Sequence, residues 1–508
     1  MAAHDRTDPD VVGIGALNVD FVATRSRLSS RDSKTVSEFS RSFESGRERI
    51  VSEQEAASLR AHLGDAAFEI RLGGSAFNTI QALRSAAPTL RLGYIGAAGQ
   101  DQPSLPSFRE WFRQNDVEQR FIDFSTSKPS GNCISLMAGG ERSLATSRGA
   151  NDGAARFMRR HKSAIIGSLG RCRCIHLTSF FDKDTPVVLL EILREAKAQN
   201  PNLIVSFDPG HQWCAEHSLN PSIIGLLRLT DVLFVNSVEF QLLAGHAPGD
   251  ADNAAAARLI GKCHDRTMII FQKNYATISV FFHIASRGVL RRDFPVSTIA
   301  EPDIEDATGA GDVFAAGIIA GRLTPGFQLE DSINLALKMV SKKLTVTGAK
   351  TLDIFGGVIG QVADEIAYKH QEKAIFIGHG RDPIWREVES FLRQDLKVNV
   401  EAWESDTRLN QFPIEVLSAL LDKTRFAILL MTAEDATDIG SVRARQNVLH
   451  EMGLFQGRLG FKNVIVLRDV GLEMPTNLEG WQMVEIDRQN IRGTLANLEA
   501  GLRSAKII

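Results

Sequence analysis

The feature that most constrains the fold is an alternation of apolar, strand-like runs with amphipathic segments of helix length. It extends from about residue 69 to about residue 348 and includes LRLGYIGAAG, RCIHLTSFF, LIVSFDPG, VLFVNS and TMIIFQ. It begins again near residue 373 with KAIFIGHG, RFAILLMT and NVIVLRD. Such alternation is typical of parallel sheets covered by helices. The sequence therefore predicts two α/β modules, the second a small doubly wound sheet of the flavodoxin-like type.

Chain length agrees with two modules. The 508 residues exceed the roughly 100 to 200 residues of a typical domain. A weakly patterned region, TLDIFGGVIGQVADEIAYKHQEK, separates the two blocks. We predict a first domain over residues 1–350, a linker over residues 351–372 and a second domain over residues 373–508.

The composition excludes several classes of protein. Hydrophobic residues make up 44% of the chain and charged residues 23%, which is a globular composition. The formal net charge of -3 gives no reason to expect a nucleic-acid partner. The apolar runs are shorter than the ~20 residues of a membrane span, and the start MAAHDRTDPD has no secretory pattern. We expect a soluble, cytoplasmic protein with no membrane or nucleic-acid partner.

The cysteines and histidines predict neither disulfides nor a metal site. The number of cysteines, five, is odd, and we interpret them as reduced thiols. Two groups lack the spacing of zinc ligands. They are Cys172, Cys174 and His176, expected on one face of a strand, and His211, Cys214 and His217. Both groups are interpreted as ordinary packing.

The N-terminal segment is divided between a strand and an insertion. Residues 11–22, VVGIGALNVDFV, are predicted to form one buried strand that delivers polar groups to an active-site edge. Residues from about 24 to 66 are rich in Ser, Arg and Glu. We interpret them as a lid, an insertion or a solvated loop.

The most specific string is DATGAGDVFAAG, residues 306–317. Gly309 and Gly311 allow backbone amides to turn toward an anion, and the following helix start adds its positive end. Asp312 lies at that turn, where the dipole is expected to keep it ionised. A carboxylate there can accept a proton from an attacking hydroxyl, which predicts phosphoryl transfer.

Five motifs in order, GGSAFN, YIGAAGQD, RGAN, NSVE and DATGAGD, resemble the ribokinase (PfkB) carbohydrate-kinase family over about 340 residues. The resemblance implies a ribokinase-like α/β/α sandwich, ATP with Mg²⁺, and a sugar or nucleoside as the second ligand. It implies that Asp312 is the catalytic base. The implied anion hole is Gly309, Ala310 and Gly311; the implied nucleotide and magnesium residues are Asn236 and Glu239; the implied sugar-binding residues are Asn18, Asp20, Gly73, Gly74 and Asn78.

Three departures from the family pattern bear on the ligands. Lys273 and Asn274 stand where a glycine-containing turn is usual, and QPSLPS follows Asp101 where a glycine is usual. These two bear on the fit of ATP. The insertion after Asp20 favours a nucleoside or nucleotide-like ligand over a free hexose.

A carboxylate on the helix of the second module is the other candidate for chemistry. In RARQNVLHEMGLFQGRLG, Val448, Met452, Phe455 and Leu459 share one helical face. Glu451 lies about 60° from the centre of that face, by the helical period. From spacing alone it could be an ordinary boundary glutamate or a partly desolvated functional group.

FIGHGRD, RFAILLMTAED and RARQNVLHEMGLFQGRLG are together similar to the bacterial TIR-like family of predicted nucleotide-binding proteins. The resemblance covers about residues 373 to 487 and implies that Glu451 is the catalytic residue of an NAD⁺ glycohydrolase. Nicotinamide is already a cationic leaving group, so one carboxylate that stabilises the ribosyl centre suffices. The other residues expected to bind NAD⁺ are Gly378, His379, Gly380, Arg381, Trp403, Arg445 and Asn447.

Three hypotheses remain at this point. In the first, which we favour, the protein is an antiphage NAD⁺ glycohydrolase effector, controlled by a sugar or nucleoside that binds the kinase-like domain and drives homo-oligomerisation. In the second, it is a metabolic kinase with a C-terminal NAD- or nucleotide-sensing module. In the third, both folds are binding modules without catalysis.

Overall fold

The computed structural model divides into two compact units, residues Met1–Val362 and Ala363–Ile508. It describes residues 8–23, 48–138, 141–216, 220–245, 252–262, 269–273, 277–284, 288–296, 308–345, 352–372, 374–402, 420–421, 423–436, 442–443, 446–472 and 482–508. The division falls inside a helix, Val358–Glu372, in the segment predicted as a linker. Each unit has its own apolar core.

Fourteen strands are described in the first unit. In chain order, β1 to β14 are Val11–Ile14, Asn18–Ala23, Glu48–Ile50, Phe68–Gly73, Leu92–Ala97, Val117–Asp123, Gly131–Ala138, Glu141–Ser147, Cys174–Thr178, Ile204–Asp208, Val232–Asn236, Ile269–Lys273, Thr277–Ile284 and Gly288–Pro295. Nine of them form one sheet in the order β14-β13-β12-β11-β10-β9-β1-β5-β6. Only β12, β13 and β14 pair antiparallel in it, so the predicted parallel α/β sheet is confirmed.

Helices of the first unit accompany this sheet. Their bounds are Glu53–Leu63, Ser75–Ala86, Phe108–Gln114, Ala154–Arg160, Lys162–Leu169, Thr185–Gln199, Gly210–Glu216, Pro221–Leu229, Ser237–Ala244, Asp252–Lys262, Ala310–Leu323, Leu329–Leu344 and Val358–Glu372, with 3-10 turns at Asp65–Ala67 and Gly149–Gly153. In their interiors the apolar positions are buried against the sheet, as in the helix Thr185–Gln199. Their apolar stripes therefore complete the core.

A second sheet of the first unit was not predicted. It has five strands in the order β3-β8-β7-β2-β4. The run of residues 11–22, predicted as one strand, forms β1 in the large sheet and β2 in this one. Gly15 lies between them, and a Cβ there would lie 2.8 Å from the Cβ of Ala76, so the chain turns where only a glycine fits.

Part of the segment predicted as an insertion is regular structure. Residues 24–47 lie outside the described residues, but β3 and the helix Glu53–Leu63 follow. Ser52 accepts a hydrogen bond from the Glu55 backbone, and the Glu55 carboxylate accepts one from the Ser52 backbone, which closes a capping box. Of the alternatives given for residues 24–66, a solvated loop is wrong for residues 53–63, because the local cap and three buried positions outweigh the polar composition.

The Cys and His residues of β9 are packed, as interpreted, but not on one face. Cys172 precedes the strand and lies in the same core as Ile175 and Leu177, so it does not share a face with His176. His176 is buried with Nδ1 2.9 Å from the Ser206 hydroxyl oxygen, and burial lowers its pKa to about 4. The ring is neutral near pH 7. Of the second group, His217 lies outside the described residues.

The second unit contains a smaller parallel sheet. Its strands β15, β16, β17, β20 and β21 are Ala374–Gly378, Val400–Ala402, Thr424–Met431, Val464–Asp469 and Met483–Ile486, and the pair β18 and β19 is Asp435–Ala436 and Val442–Arg443. The sheet order is β16-β15-β17-β20-β21. Its helices are Trp385–Ser390, continued by a π-turn at Phe391–Asp395, then Gln446–Leu459 and Ile491–Ser504, with a 3-10 turn at Phe461–Asn463. The doubly wound sheet is confirmed, with its strand order reversing between β15 and β17.

Within the described residues, no helix is both long and apolar enough to cross a membrane.

Candidate functional site

The site of the first unit is centred on Asp312, in the first turn of the helix Ala310–Leu323. Gly309 caps this helix with a φ of 76°, a left-handed conformation that favours glycine. The Asp312 carboxylate accepts a hydrogen bond from the hydroxyl of Ser75 and another, 2.8 Å long, from Nδ2 of Asn78. Two side chains of the helix Ser75–Ala86 therefore bind the Asp312 carboxylate of the helix Ala310–Leu323.

Burial raises the pKa of Asp312 to about 6, while the hydrogen bonds from Ser75 and Asn78 act in the opposite direction. Asp312 is still mostly ionised at pH 7, as expected. A carboxylate with a pKa near neutrality is matched to general-base work.

Close backbone approach explains the two glycines before the helix Ser75–Ala86. Gly74 has a φ of 114°, and a Cβ there would overlap the carbonyl oxygen of Ala16. A Cβ on Gly73 would overlap the carboxylate of Asp20. The glycines therefore let β4 and the helix start lie directly against β2.

The other residues predicted to hold sugar hydroxyls lie along the same edge. Asn18 is paired with Gly73 across β2 and β4, and its Oδ1 accepts a hydrogen bond of 3.1 Å from Nδ2 of Asn151. Asn151 also bonds the backbone N and O of Leu17 at 3.0 and 3.1 Å. The structure thus brings Asn18 and Asp20 to one edge and fixes Asn18 through Asn151, which the sequence analysis did not single out.

Asn236 and Glu239, predicted to attend the nucleotide phosphates, cap a helix together. Asn236 Oδ1 accepts from the Glu239 backbone at 2.9 Å, and Glu239 Oε2 accepts from the Asn236 backbone at 2.8 Å. Asn236 is exposed and Glu239 is buried. Burial, helped by the charge of Asp208, raises the pKa of Glu239 to about 7.

A pocket opens beside Gly309 and Asn78. Two cationic side chains, Arg71 and Lys343, contribute to its wall. The full lining is Arg71, Leu72, Asn78, Gln81, Thr308, Gly309, Lys343 and Leu352. A polar ligand with a negative group suits this lining. In the part of the chain that the structure describes, no three His, Cys, Asp or Glu side chains are grouped to hold a metal.

The site of the second unit lies at the carboxyl end of β15, at the reversal of the strand order. A Cβ on Gly378 would lie 2.6 Å from Cδ1 of Leu429 and 2.7 Å from Oε2 of Glu451. The Glu451 carboxylate therefore lies directly against the backbone of Gly378. Ligands of doubly wound sheets bind at this position.

The helix Gln446–Leu459 places Glu451 there through its apolar face. Val448, Met452 and Phe455 are buried, and the Phe455 ring stacks on Phe376 with centroids 4.2 Å apart. The predicted apolar stripe is therefore the face that packs on the sheet.

The loop after Gly378 is held by a carboxylate that the sequence analysis missed. Glu434 accepts hydrogen bonds from the backbone N of Arg381, at 2.8 and 2.9 Å to its two oxygens, and from the backbone N of Asp382 at 3.2 Å. The Thr432 hydroxyl also donates to Glu434 at 2.7 Å. The amides of Arg381 and Asp382 therefore face an anion of the chain itself. The sequence feature that could have indicated Glu434 was the acidic pair in TAED, directly after β17.

His379 and Arg381 take different positions in this loop. The His379 ring stacks on Trp385 with centroids 4.0 Å apart, and its Nδ1 lies 2.7 Å from the carbonyl oxygen of Gly380. The side chain of Arg381 is exposed. Trp385 was not among the predicted site residues.

Arg488 links the residues at the carboxyl ends of β15 and β20. It donates to Asp382 at 2.7 Å and to both oxygens of Asp469 at 2.9 and 2.7 Å. These bonds raise the pKa of Arg488. Burial acts to raise the pKa of Asp382, but its bond to Arg488 prevails and the pKa is lowered. Of the other predicted residues, Trp403 and Arg445 lie outside the described residues, and Asn447 is described only as part of its helix.

Comparison with known proteins decides the family. The model described as pfkB family carbohydrate kinase matches residues 53–354, which is more than half of the chain. The chain belongs to the pfkB family. A second model, described as CAP12/Pycsar effector protein, TIR domain, matches residues 374–488. This pfkB-family protein is therefore a kinase domain followed by a TIR domain, as the two resemblances implied.

Relatives of the pfkB part include adenosine kinases. The adenosine kinase of Schizophyllum commune is 25% identical over 285 residues, which cover 54% of this chain and 80% of that protein. An Anopheles gambiae adenosine kinase structure in complex with P1,P4-di(adenosine-5) tetraphosphate has a TM-score of 0.56 at 19% identity, over 68% of this chain and 98% of that one. The structural likeness shows the ribokinase-like fold.

Relatives of the TIR part include a Pycsar effector protein and a CD-NTase-associated protein. The Pycsar effector protein PaPycTIR of Pseudomonas aeruginosa is 33% identical over 125 residues, 23% of this chain and 40% of that protein. CD-NTase-associated protein 12 of Niabella drilacis is 30% identical over 145 residues, 27% of this chain and 45% of that protein. The chain thus spans less than half the length of these two relatives. Its C-terminal unit is a TIR effector domain of the Pycsar and CAP12 type.

Proposed function

We propose that the protein is an NAD⁺ glycohydrolase effector whose TIR domain cleaves NAD⁺ at the nicotinamide–ribose bond and whose kinase-like domain controls that activity by binding a nucleoside or sugar. The observation that carries the proposal is the contact of the Glu451 carboxylate with the backbone of Gly378 at the switch point of the small sheet. The effector names of one TIR relative and of the matching TIR family support a role in antiphage defence.

Glu451 has the chemistry that this cleavage needs. The leaving nicotinamide gains its electron pair from the broken C–N bond and departs neutral, so no acid is required. A carboxylate beside the ribose stabilises the cationic ribosyl centre until water attacks it, and the products are nicotinamide and ADP-ribose, or a cyclic form when a group of the same molecule attacks instead.

The remaining residues of the loop would position the substrate. His379 and Trp385 form a stacked aromatic pair next to Gly380, and Arg488 supplies a cation at the strand ends. Trp403, Arg445 and Asn447 stay predictions as NAD⁺-binding residues.

Nicotinamide release from NAD⁺ by the full-length protein tests the proposal. The protein is assayed alone and with a panel of adenosine, other nucleosides, sugars and ATP. We expect release that rises with one panel member and falls at least about a thousandfold in Glu451→Gln, because the substitution removes a charge that acts in the transition state. The matched variant Glu499→Gln alters a helical surface carboxylate paired with Arg503 and should release nicotinamide at the normal rate. Full NAD⁺ cleavage by Glu451→Ala would overturn the role of Glu451.

A second function is supported by the first unit. The contacts of Asp312 with Ser75 and Asn78 are those of an organised general base, and Gly309, Ala310 and Gly311 begin a helix that can hold a phosphoryl group. In this alternative the protein is an ATP- and Mg²⁺-dependent nucleoside or carbohydrate kinase whose TIR domain senses NAD⁺. ATP consumption with one panel member, without nicotinamide release under any condition, would favour it.

A further inference from the structure

Lys273 is a partly buried cation of the kinase site. It is the last residue of β12 and lies in register with Asn236 of β11. Its Nζ donates to Oδ2 of Asp208, the last residue of β10, at 2.8 Å. The Lys273 side chain is 19% exposed, so its head group is neither on the surface nor sealed in the core.

The ammonium group also lies against the predicted anion hole. A Cβ on Gly311 would be 3.1 Å from Nζ of Lys273, nearer to it than to any other group. Gly311 belongs to the first turn of the helix Ala310–Leu323, where the backbone amides carry partial positive charge. A phosphate that reached this turn would therefore contact the ammonium and the backbone amides together.

Lys273 is charged at neutral pH. Burial acts to lower its pKa, but the charge of Asp208 and then that of Glu239 raise it by more. The carboxylate of Asp312 contributes in the same direction. Lys273 therefore brings a cation of the chain itself to the place where phosphoryl charge would be held.

We propose that Lys273 binds a terminal phosphate in the kinase domain, with its ammonium acting beside the backbone amides of the first turn of the helix Ala310–Leu323. This rests on the proposed role of Gly309, Ala310 and Gly311 as the phosphate site. The ligand class is a phosphate monoester or polyphosphate terminus, carried either by the donor nucleotide or by the bound nucleoside itself. Lys273, which stands where the family usually has a glycine-containing turn, then favours phosphate-bearing ligands, because it adds a fixed cation to the anion hole.

A second buried pair in the same unit serves as a matched control. Nζ of Lys197 lies 2.7 Å from Oδ2 of Asp231, and the Lys197 side chain is 6% exposed. This pair has nearly the same N–O distance as Lys273 and Asp208, with a more buried lysine and a more exposed carboxylate, 28% against 12%. Lys197 belongs to the helix Thr185–Gln199 and not to the site. Removing either lysine leaves a buried carboxylate without its cation and costs stability. Only Lys273 should affect phosphate binding.

The test compares Lys273→Met and Lys197→Met in the full-length protein by calorimetric titration. The probes are inorganic phosphate, AMP, ATP with Mg²⁺, and adenosine as the phosphate-free reference. We expect Lys273→Met to weaken binding of at least one phosphate-bearing probe by about 10- to 100-fold, the range for a lost charged hydrogen bond. Adenosine affinity should stay within about twofold. Lys197→Met should bind every probe as the unsubstituted protein does.

The pattern of losses identifies the source of the phosphate. Weaker binding of ATP with AMP unchanged assigns Lys273 to the donor's terminal phosphate, whereas weaker binding of AMP assigns it to a phosphorylated nucleoside. Lys273→Arg keeps the charge and should keep most of the affinity, which covers the case in which Lys273→Met does not fold.

Three results would overturn the proposal. They are equal or tighter binding of all phosphate-bearing probes by Lys273→Met, an equal loss in Lys197→Met, and no binding of any phosphate-bearing probe by the unsubstituted protein. Because the readout is binding, failure of the NAD⁺ cleavage proposal would leave this result interpretable.

Discussion

Asp312 illustrates how single residues set the chemistry of the first unit. Burial raises its pKa to about 6, and the hydroxyl of Ser75 and the amide of Asn78 limit that rise. The carboxylate accepts a proton only when it is ionised, so phosphoryl transfer should be lost as the pH falls through about 6. The acidic limb of the pH–rate profile therefore depends on the environment of the Asp312 side chain.

Ser75→Ala should move that limb to higher pH. Removing the hydroxyl leaves the ionised carboxylate less stabilised, so the pKa of Asp312 should rise further, by about one unit for one lost hydrogen bond to a charge. Phosphoryl transfer measured from pH 5 to pH 8 checks this. Thr79 lies in the same helix as Ser75, but its hydroxyl donates to the backbone carbonyl of Asp312, at 3.2 Å, and not to the carboxylate. Thr79→Val should therefore leave the profile unshifted, and an equal shift in both variants would contradict the assignment.

In the second unit, Gly378 is the residue that leaves space for the Glu451 carboxylate. A Cβ there would come within 2.7 Å of Leu429 and Glu451, so Gly378→Ala should displace the Glu451 carboxylate. We expect loss of nicotinamide release and about 1 to 3 kcal/mol of lost stability, as for overpacking. Urea unfolding and the nicotinamide assay measure the two effects.

Gly457 gives the matched control for Gly378→Ala. It lies in the same helix as Glu451, and a Cβ there would meet nothing within 4 Å. Gly457→Ala should stabilise the protein by about 0.5 to 1 kcal/mol, because alanine is the better helix former, and should not change nicotinamide release. Normal release by Gly378→Ala would contradict the position given to Glu451.

At the scale of elements, loops after β15 and β17 are joined by one carboxylate. Glu434 holds the backbone amides of Arg381 and Asp382, and Ala433 donates to Asp469 at 3.0 Å. The ends of β15, β17 and β20 are thus connected by polar contacts. The loop that would meet NAD⁺ is therefore held by groups of the chain itself.

Glu434→Ala should free this loop. The amides of Arg381 and Asp382 would lose their acceptor, so their hydrogen exchange should quicken by about 10-fold or more, the equivalent of one lost charged hydrogen bond. The amides within β15 should exchange as before. Glu485→Ala, which removes a surface carboxylate paired with Arg468, should change neither set. Unchanged exchange at Arg381 and Asp382 in Glu434→Ala would show that the loop is held by other contacts.

At the scale of the whole molecule, the chain has two compact units with separate cores. A ligand that binds one unit stabilises the native state of that unit, by about 2.7 kcal/mol at a concentration 100 times its Kd. We expect calorimetry to show two transitions, with adenosine raising the temperature of one and NAD⁺ that of the other. The comparison uses Glu451→Gln, so that NAD⁺ is not consumed. A single transition raised equally by both ligands would contradict separate units.

The sequence by itself determined the elements and the motifs. Period-two and 3.6-residue patterns are local, so the alternating sheets, the helix Gln446–Leu459 and the face with Val448 and Phe455 could be predicted from neighbouring residues. The motif strings likewise carried both family resemblances, and with them the candidates Asp312 and Glu451, before any contact was known.

Only the tertiary structure decided which groups meet. Ser75 and Asp312 are 237 residues apart, and Lys273 reaches Asp208 across 65 residues. Such contacts depend on strand order, which local patterns do not specify. Residues 11–22 form two strands in two sheets for the same reason, since the turn at Gly15 is imposed by its close neighbours Thr178 and Ala76. The charge state of Asp312 also had to await the structure, because burial is a property of the packed core and not of the local chain.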